Sequence, residues 1–168
     1  PSLGKISIQK SILGSLIGFM VVALFMIAYY KLHGLIAVSA LIIYVLITLA
    51  IFKLIPVTLT LAGIAGFALS IGMAVDANIL IFERTREEIR AGHPLDRSLE
   101  EGFKRAWAAI RDSNVSSLIT IFILGYFGTS LIRGFAITLG IGIVVSMFTA
   151  ITVTRTFLSL LYRMRRDV

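Results

Sequence analysis

The sequence predicts an all-α membrane protein with five transmembrane helices. The chain has 168 residues, of which 58% are hydrophobic, and its mean hydropathy is +0.96. Soluble domains average about 45–50% apolar residues. The apolar residues fall in five long runs separated by short polar turns, and about 20 such residues are enough to cross a bilayer as a helix. Together these observations exclude a soluble globular domain.

The first predicted span ends in two tyrosines, which are common at the membrane–water interface. The third is about 26 residues long, so it can tilt or project beyond the bilayer. Residues 1–10 are predicted to be the exit from a preceding extracytoplasmic domain, and residues 163–168 a basic cytoplasmic tail. The five predicted spans are residues 11–30, 35–52, 57–82, 115–131 and 135–162.

Residues 83–112 form the one long hydrophilic stretch between spans. Within it, apolar side chains recur at helical spacing while charged side chains occupy the remaining positions. This pattern predicts an amphipathic helix that lies in the membrane plane or docks on the ends of the spans. The apolar stripe consists of Leu95, Leu99, Phe103, Trp107 and Ile110.

The distribution of basic residues predicts the orientation. Eleven lie on the side of the 83–112 loop and four on the other, and Arg155 lies within the last span. The positive-inside rule therefore places the loop and the C-terminus in the cytoplasm and the N-terminus outside. The net charge of +7 is explained by topology and by contact with lipid headgroups, so it does not indicate nucleic-acid binding.

Asp76 is the most informative residue, because it interrupts an otherwise apolar run in the third span. It lies about 12 Å along the helix axis from Arg84, which places it inside the hydrocarbon if Arg84 marks the interface. An ionised carboxyl group there costs about 2.5–3.5 kcal/mol, so intramembrane acids usually mark ion or proton sites. The alternative is a structural hydrogen bond between helices.

Other polar residues of the spans are candidates to line a path to Asp76. Asn78 lies about 160° around the helix from it. For each serine or threonine alone, a hydrogen bond to its own helix is the better interpretation. The small residues Ala65, Ala68 and Gly72 share the face of Asp76 and favour close approach of another helix. The candidate lining residues are Asn78, Asn114, Ser117, Thr120, Ser146 and Thr149.

The sequence contains no nucleophile–base pair, metal-ligand cluster or phosphate loop, so neither an enzyme nor a cofactor is predicted. No basic residue lies clearly at the depth of Asp76. Its charge partner is therefore expected from another chain, or Asp76 is protonated at rest.

Several blocks, in order and spacing, resemble the SecD branch of the SecD/SecF family of protein-export membrane proteins. The resemblance covers the chain from about residue 11 to residue 162, and the DAN of the first block is typical of the SecD half. The blocks are GMAVDANILIFER, REEIRAG, EGFKRAW, DSNVSSLIT, YFGT and RGFAITLGIGIVVSMFTAITVTR.

The resemblance implies half of a twelve-span bundle of the resistance-nodulation-division (RND) type in the bacterial inner membrane, with the N-terminus of this segment periplasmic. It also implies a SecF-like partner, a SecYEG-like channel and exported preproteins as partners. Asp76 would carry the coupling ion, a proton or, as in some relatives, sodium. Two alternatives stay open: an RND-type small-molecule exporter, and an assembly scaffold without ion flow.

Overall fold

The computed structural model describes residues 2–166, and the side chains of residues 6–163. It confirms the all-α prediction. Among the described residues, five long helices follow one another, each antiparallel to the one before it, and the last is continued through a π-helical turn. The helices are α1 (Ser2–Tyr30), α2 (Leu32–Leu54), α3 (Leu61–Arg90), α4 (Leu95–Phe127) and α5 (Ser130–Thr149), which runs through the π turn Ala150–Thr154 into α6 (Arg155–Arg166).

A single residue, Lys31, joins α1 to α2. The sequence predicted a four-residue turn over residues 31–34, but His33 and Gly34 already belong to α2. Gly34 makes so short a connection feasible, because a Cβ atom there would overlap the backbone of Met26. The two arms of this helical hairpin therefore touch at their base.

Helix α3 begins at Leu61, four residues later than predicted. Thr60 is its N-cap, and the Thr60 hydroxyl accepts a 3.1 Å hydrogen bond from the backbone N–H of Gly63. The helix continues past the predicted end of the span to Arg90 and stops before Gly92, whose φ of 85° is accessible mainly to glycine.

Helix α4 corrects the prediction for residues 95–131. The amphipathic helix and the fourth span, predicted as separate elements, form one helix of 33 residues. No proline interrupts this stretch, and the polar residues 112–114 continue the helix rather than cap a new one. The helix ends at Phe127, and the connection to α5 is Gly128–Thr129. Arg133 and Gly134, predicted as the turn, lie in the first part of α5.

Among the described residues, four helices are long and apolar enough to cross a membrane, as a multi-pass membrane protein requires. Helix α4 is not among them, because only its second part, from residue 115 on, is apolar. The four segments are Ile6–Tyr30, Leu32–Leu54, Leu61–Arg90 and Ser130–Arg163.

Helix α3 lies at the centre and contacts α1, α2, α4 and α5. Its contacts with α5 advance in the same direction along both helices. The Cβ position of Gly63 is 3.3 Å from Thr138, and Asn78 is hydrogen-bonded to Thr154 further along. Helices α3 and α5 are therefore parallel neighbours. Helix α4, which connects them in the sequence, runs in the opposite direction and contacts both.

The polar ends of α3 and α4 form a hairpin. A Cβ on Gly102 would lie 2.6 Å from the Cα of Thr85, so this glycine sets the close approach of the two helices. Ile110 is buried, and the rest of the predicted apolar stripe packs against the main core. The guanidinium of Arg155 lies 4.9 Å from the ring centre of Phe103. The stripe is thus covered by protein within this chain.

Candidate functional site

Asp76 lies in the middle of α3, on an outer face of this helix. Its side chain is exposed, and the same face carries Leu61, Ala65, Leu69 and Gly72. Among the described side chains, residues 6–163, none forms a hydrogen bond or ion pair with Asp76. The carboxyl group therefore sits on an apolar outer surface of the helix cluster.

A groove of about 520 Å³ runs between α1 and α3 and reaches Gly72, one turn from Asp76. Glycines keep it open: no atom lies within 4 Å of a Cβ position built on Gly14, Gly18 or Gly72. The predicted small residues Ala65, Ala68 and Gly72 all line this groove, and Ala65 and Gly72 are exposed. Because glycine surfaces allow close helix approach, the groove has a shape in which a further helix can pack.

Asn78 occupies the opposite face of α3 and is buried, with 4% of its surface exposed. Its side-chain oxygen accepts a 2.7 Å hydrogen bond from the hydroxyl of Thr154, which is also buried. Thr154 is the last residue of the π turn. Such turns often occur at functional sites. Here the turn places the donor against Asn78, in the core rather than beside Asp76.

A second buried polar contact joins α2 to α3. The hydroxyl groups of Tyr44 and Ser70 are 2.6 Å apart, and Ser70 donates to the carbonyl of Phe67. Tyr44 is therefore the donor to Ser70. A Cβ on Gly142 of α5 would overlap Ser70, so three helices meet here. This contact was not predicted, because no local sequence pattern links residues 26 positions apart.

The other predicted lining residues do not converge on Asp76. The hydroxyls of Ser117, Thr120, Ser146 and Thr149 each donate to a carbonyl of their own helix at 2.8–3.2 Å. This is the arrangement expected for single hydroxyl residues in helices. Asn114 is buried on α4. Among the described residues, Asn78 is the one member of the predicted set that forms a hydrogen bond to another helix.

Glu88 forms the main ionic contact of the α3–α4 hairpin. Its carboxylate accepts hydrogen bonds from Arg105 at 2.6 Å and from His93 Nδ1 at 2.8 Å. These two bonds hold the pKa of Glu88 below its ordinary value, and the bond from Arg105 has the larger effect. The same contact raises the pKa of Arg105. In the described part of the chain, no three acidic, histidine or cysteine side chains are arranged to hold a metal ion.

The comparisons with known proteins agree with this architecture. The family described as "Protein export membrane protein SecD/SecF, C-terminal" matches residues 1–164. A "Protein translocase subunit SecD" from Thermobaculum terrenum is 59% identical over 97% of this chain and 32% of its own length. The protein of the same name from Synechocystis is 57% identical over 94% of this chain and 33% of its own length.

A solved structure has the same fold. The chain in "Crystal structure of SecDF in Super-membrane-facing form" superposes with a TM-score of 0.88 at 40% identity. The match covers 96% of this chain and 22% of that one. This chain thus spans about a third of the SecD relatives it matches. With a family match over nearly its whole length and more than half of its residues shared with SecD proteins, the chain belongs to the SecD/SecF family of protein export membrane proteins, as a SecD membrane region.

Proposed function

We propose that this segment is the ion-coupled membrane portion of a SecD-type subunit that assists protein export through a SecYEG-like channel. The observation that carries the proposal is the exposed, unpartnered carboxyl group of Asp76 on an apolar face of α3. An ionised carboxyl group that faces lipid is unfavourable in free energy, whereas one that faces a second protein surface can bind a proton and release it again. A proton is the expected ion, with sodium as the alternative.

The groove beside Asp76 supports a SecF-like partner. The partner would lay a helix along the glycine-lined face of α1 and α3 and complete an RND-type bundle. Protonated Asp76 fits an apolar helix interface, whereas ionised Asp76 needs water or a cation from the partner. Those two requirements favour different packings of the interface, which links ion movement to a conformational change.

The membrane potential is of a useful size for this purpose. It provides about 2.3 kcal/mol per elementary charge per 100 mV. A two-state element whose states differ by a few kcal/mol can be biased by that amount. The change in packing would move domains outside this segment, and those domains would act on the exported preproteins.

Five membrane crossings follow if α3 and α5 both span the bilayer. These helices are parallel neighbours, so the chain must recross between them, and α4 is the only connection. Its apolar second part packs against α5 around Ile121. The basic residues near the α3–α4 hairpin favour a cytoplasmic hairpin and C-terminus in the bacterial inner membrane, with the N-terminal end periplasmic.

The decisive test replaces Asp76 in the full-length subunit with its partner. Asp76→Asn keeps the size but cannot titrate, so we expect folding to be intact and both ion flux and ion-driven export to be lost. Asp76→Glu should retain part of both. Glu100→Gln, which removes an exposed acid on α4, should behave like the wild type.

Each alternative function predicts a different result. If Asp76→Asn retains wild-type flux and export, Asp76 is structural, and the assembly-scaffold interpretation replaces this one. If flux is lost but export is unchanged while efflux of small molecules falls, the small-molecule exporter interpretation is correct.

A further inference from the structure

A second cavity, of about 570 Å³, lies at the end of the molecule where α1 meets α2. It shares no lining residue with the groove at Gly72. Tyr30 closes the first apolar helix here and Lys31 forms the turn, so the cavity lies where the apolar spans give way to charged residues. Its walls are formed by Tyr30, Lys31, Leu32, His33, Arg86, Leu161 and Tyr162.

Lys31 has an unusual backbone conformation. Its φ of 50° and ψ of −114° correspond to a turn position that is normally glycine, and it is the only non-glycine residue with positive φ in the described chain. Glycine would adopt this conformation without strain. Lysine instead places an exposed cation in the lining of the cavity, and among the described side chains, residues 6–163, it has no ion-pair partner. Such strain points to a function for the side chain.

Arg86 supplies the second cation. Its guanidinium lies 5.9 Å from the ring centre of Tyr30, and its only acidic neighbour among the described residues is Glu83 at 3.5 Å. Both members of that ion pair are about 40% exposed, so a phosphate can exchange with the carboxylate. Arginine also binds phosphate in a bidentate geometry.

The remaining walls are rigid and largely apolar. A 2.9 Å hydrogen bond joins His33 Nε2 to the hydroxyl of Tyr162, and this bond ties the start of α2 to α6. The His33 ring also packs edge-on against Phe82. Leu32 and Leu161 complete the wall. The lining of the cavity therefore combines two cations with largely apolar walls.

We propose that this cavity binds the headgroup of an anionic phospholipid, with its phosphate held between Lys31 and Arg86. The glycerol backbone and first methylene groups would lie against the leucine and tyrosine walls. Basic pockets between helices at the membrane interface favour such headgroups. A free phosphate ion would leave the apolar walls without a partner. This site is separate from Asp76 and does not depend on the proposed export function.

The test measures lipid binding by the full-length subunit, purified in detergent and stripped of lipid. Native mass spectrometry would follow the addition of phosphatidylglycerol or phosphatidylcholine. We expect wild type to prefer phosphatidylglycerol, and Lys31→Gln with Arg86→Gln to weaken its binding about 30-fold, since each cation near a charged surface is worth about fivefold. The matched control is Arg97→Gln with Lys104→Gln, two exposed cations of α4 outside this cavity.

A second variant separates binding from folding. Lys31→Gly relieves the strained turn, so we expect an upward shift in the thermal midpoint of the lipid-free protein together with weaker phosphatidylglycerol binding. The proposal is overturned if the control pair weakens binding as much as the cavity pair, or if the cavity pair binds like wild type. It is also overturned if inorganic phosphate displaces the lipid at equal concentration.

Discussion

Asp76 and Asn78 are two residues apart on one helix and point to opposite sides of it. Asp76 is exposed on an apolar outer face, whereas Asn78 is buried and accepts a hydrogen bond from Thr154. The helical repeat produces this separation, because two residues rotate by about 200°, which leaves the two side chains about 160° apart. Asp76 is thus accessible to a partner, whereas Asn78 links α3 to the π turn.

We expect Thr154→Val to destabilise the protein, because it leaves the buried oxygen of Asn78 without a donor. A loss of about 1–2 kcal/mol in the free energy of unfolding is typical of such a change. Thr152→Val is the matched control, since Thr152 is exposed two residues away. Denaturant titration in mixed micelles would measure both variants, and equal stabilities would contradict a structural role for the Asn78 bond.

Two glycines of α3 should respond oppositely to alanine. A Cβ on Gly66 would lie 2.6 Å from the Thr138 hydroxyl oxygen and 2.7 Å from the Phe135 carbonyl oxygen, so Gly66→Ala must push α3 and α5 apart. Overpacking of this kind costs about 1–3 kcal/mol. Gly72 faces open space, so Gly72→Ala should leave the stability of this region unchanged or slightly increased.

A larger substitution at Gly72 tests the proposed interface. Gly72→Leu should fold but co-purify less of a SecF-like partner, because the larger side chain fills the groove. Pull-down yields normalised to folded protein would measure this effect. If Gly72→Leu recovers as much partner as the wild type, the partner does not bind in this groove.

The α3–α4 hairpin should loosen at acidic pH. The pKa of Glu88 is lowered in the folded protein, mainly by Arg105 and then by His93. The carboxylate therefore stabilises the hairpin above the unfolded pKa, which is about 4.3, and that contribution is lost as the pH falls through the lower, folded pKa. Hydrogen exchange over residues 85–105, corrected for intrinsic rates, should show protection at pH 7 that declines below about pH 4.

Glu88→Gln should reduce this protection at neutral pH and remove its dependence on pH in the acidic range. Glu100→Gln, on the exposed face of α4, should keep the wild-type profile. Wild-type protection that is unchanged down to the pH where the whole chain unfolds would show that Glu88 does not hold the hairpin.

The membrane topology can be tested at three connections. Reporter fusions at Lys53 and at His93 should report opposite sides of the membrane, with His93 in the cytoplasm. A fusion at Gly128 should report the side of Lys53, because α4 recrosses the bilayer in the proposed topology. If His93 and Gly128 report the same side, α4 does not cross.

The sequence alone determined the all-helical class and the approximate course of the long helices. Long apolar runs must satisfy their backbone hydrogen bonds internally in a bilayer, and a helix does so with local contacts only. Asp76 was conspicuous for the same reason, since a carboxyl group in such a run is costly wherever the other helices lie. The helical repeat also placed Asp76 and Asn78 on opposite faces of their helix.

The tertiary structure decided what depends on distant residues. The Asn78–Thr154 bond joins positions 76 residues apart, and the π turn that aligns it has no signature in the local sequence. Continuity of α4 through residues 112–114 was likewise not predictable, because polar residues can cap a helix or continue it, and packing against α3 and α5 selects continuation. Local preferences among such states differ by little, so tertiary contacts determine the outcome.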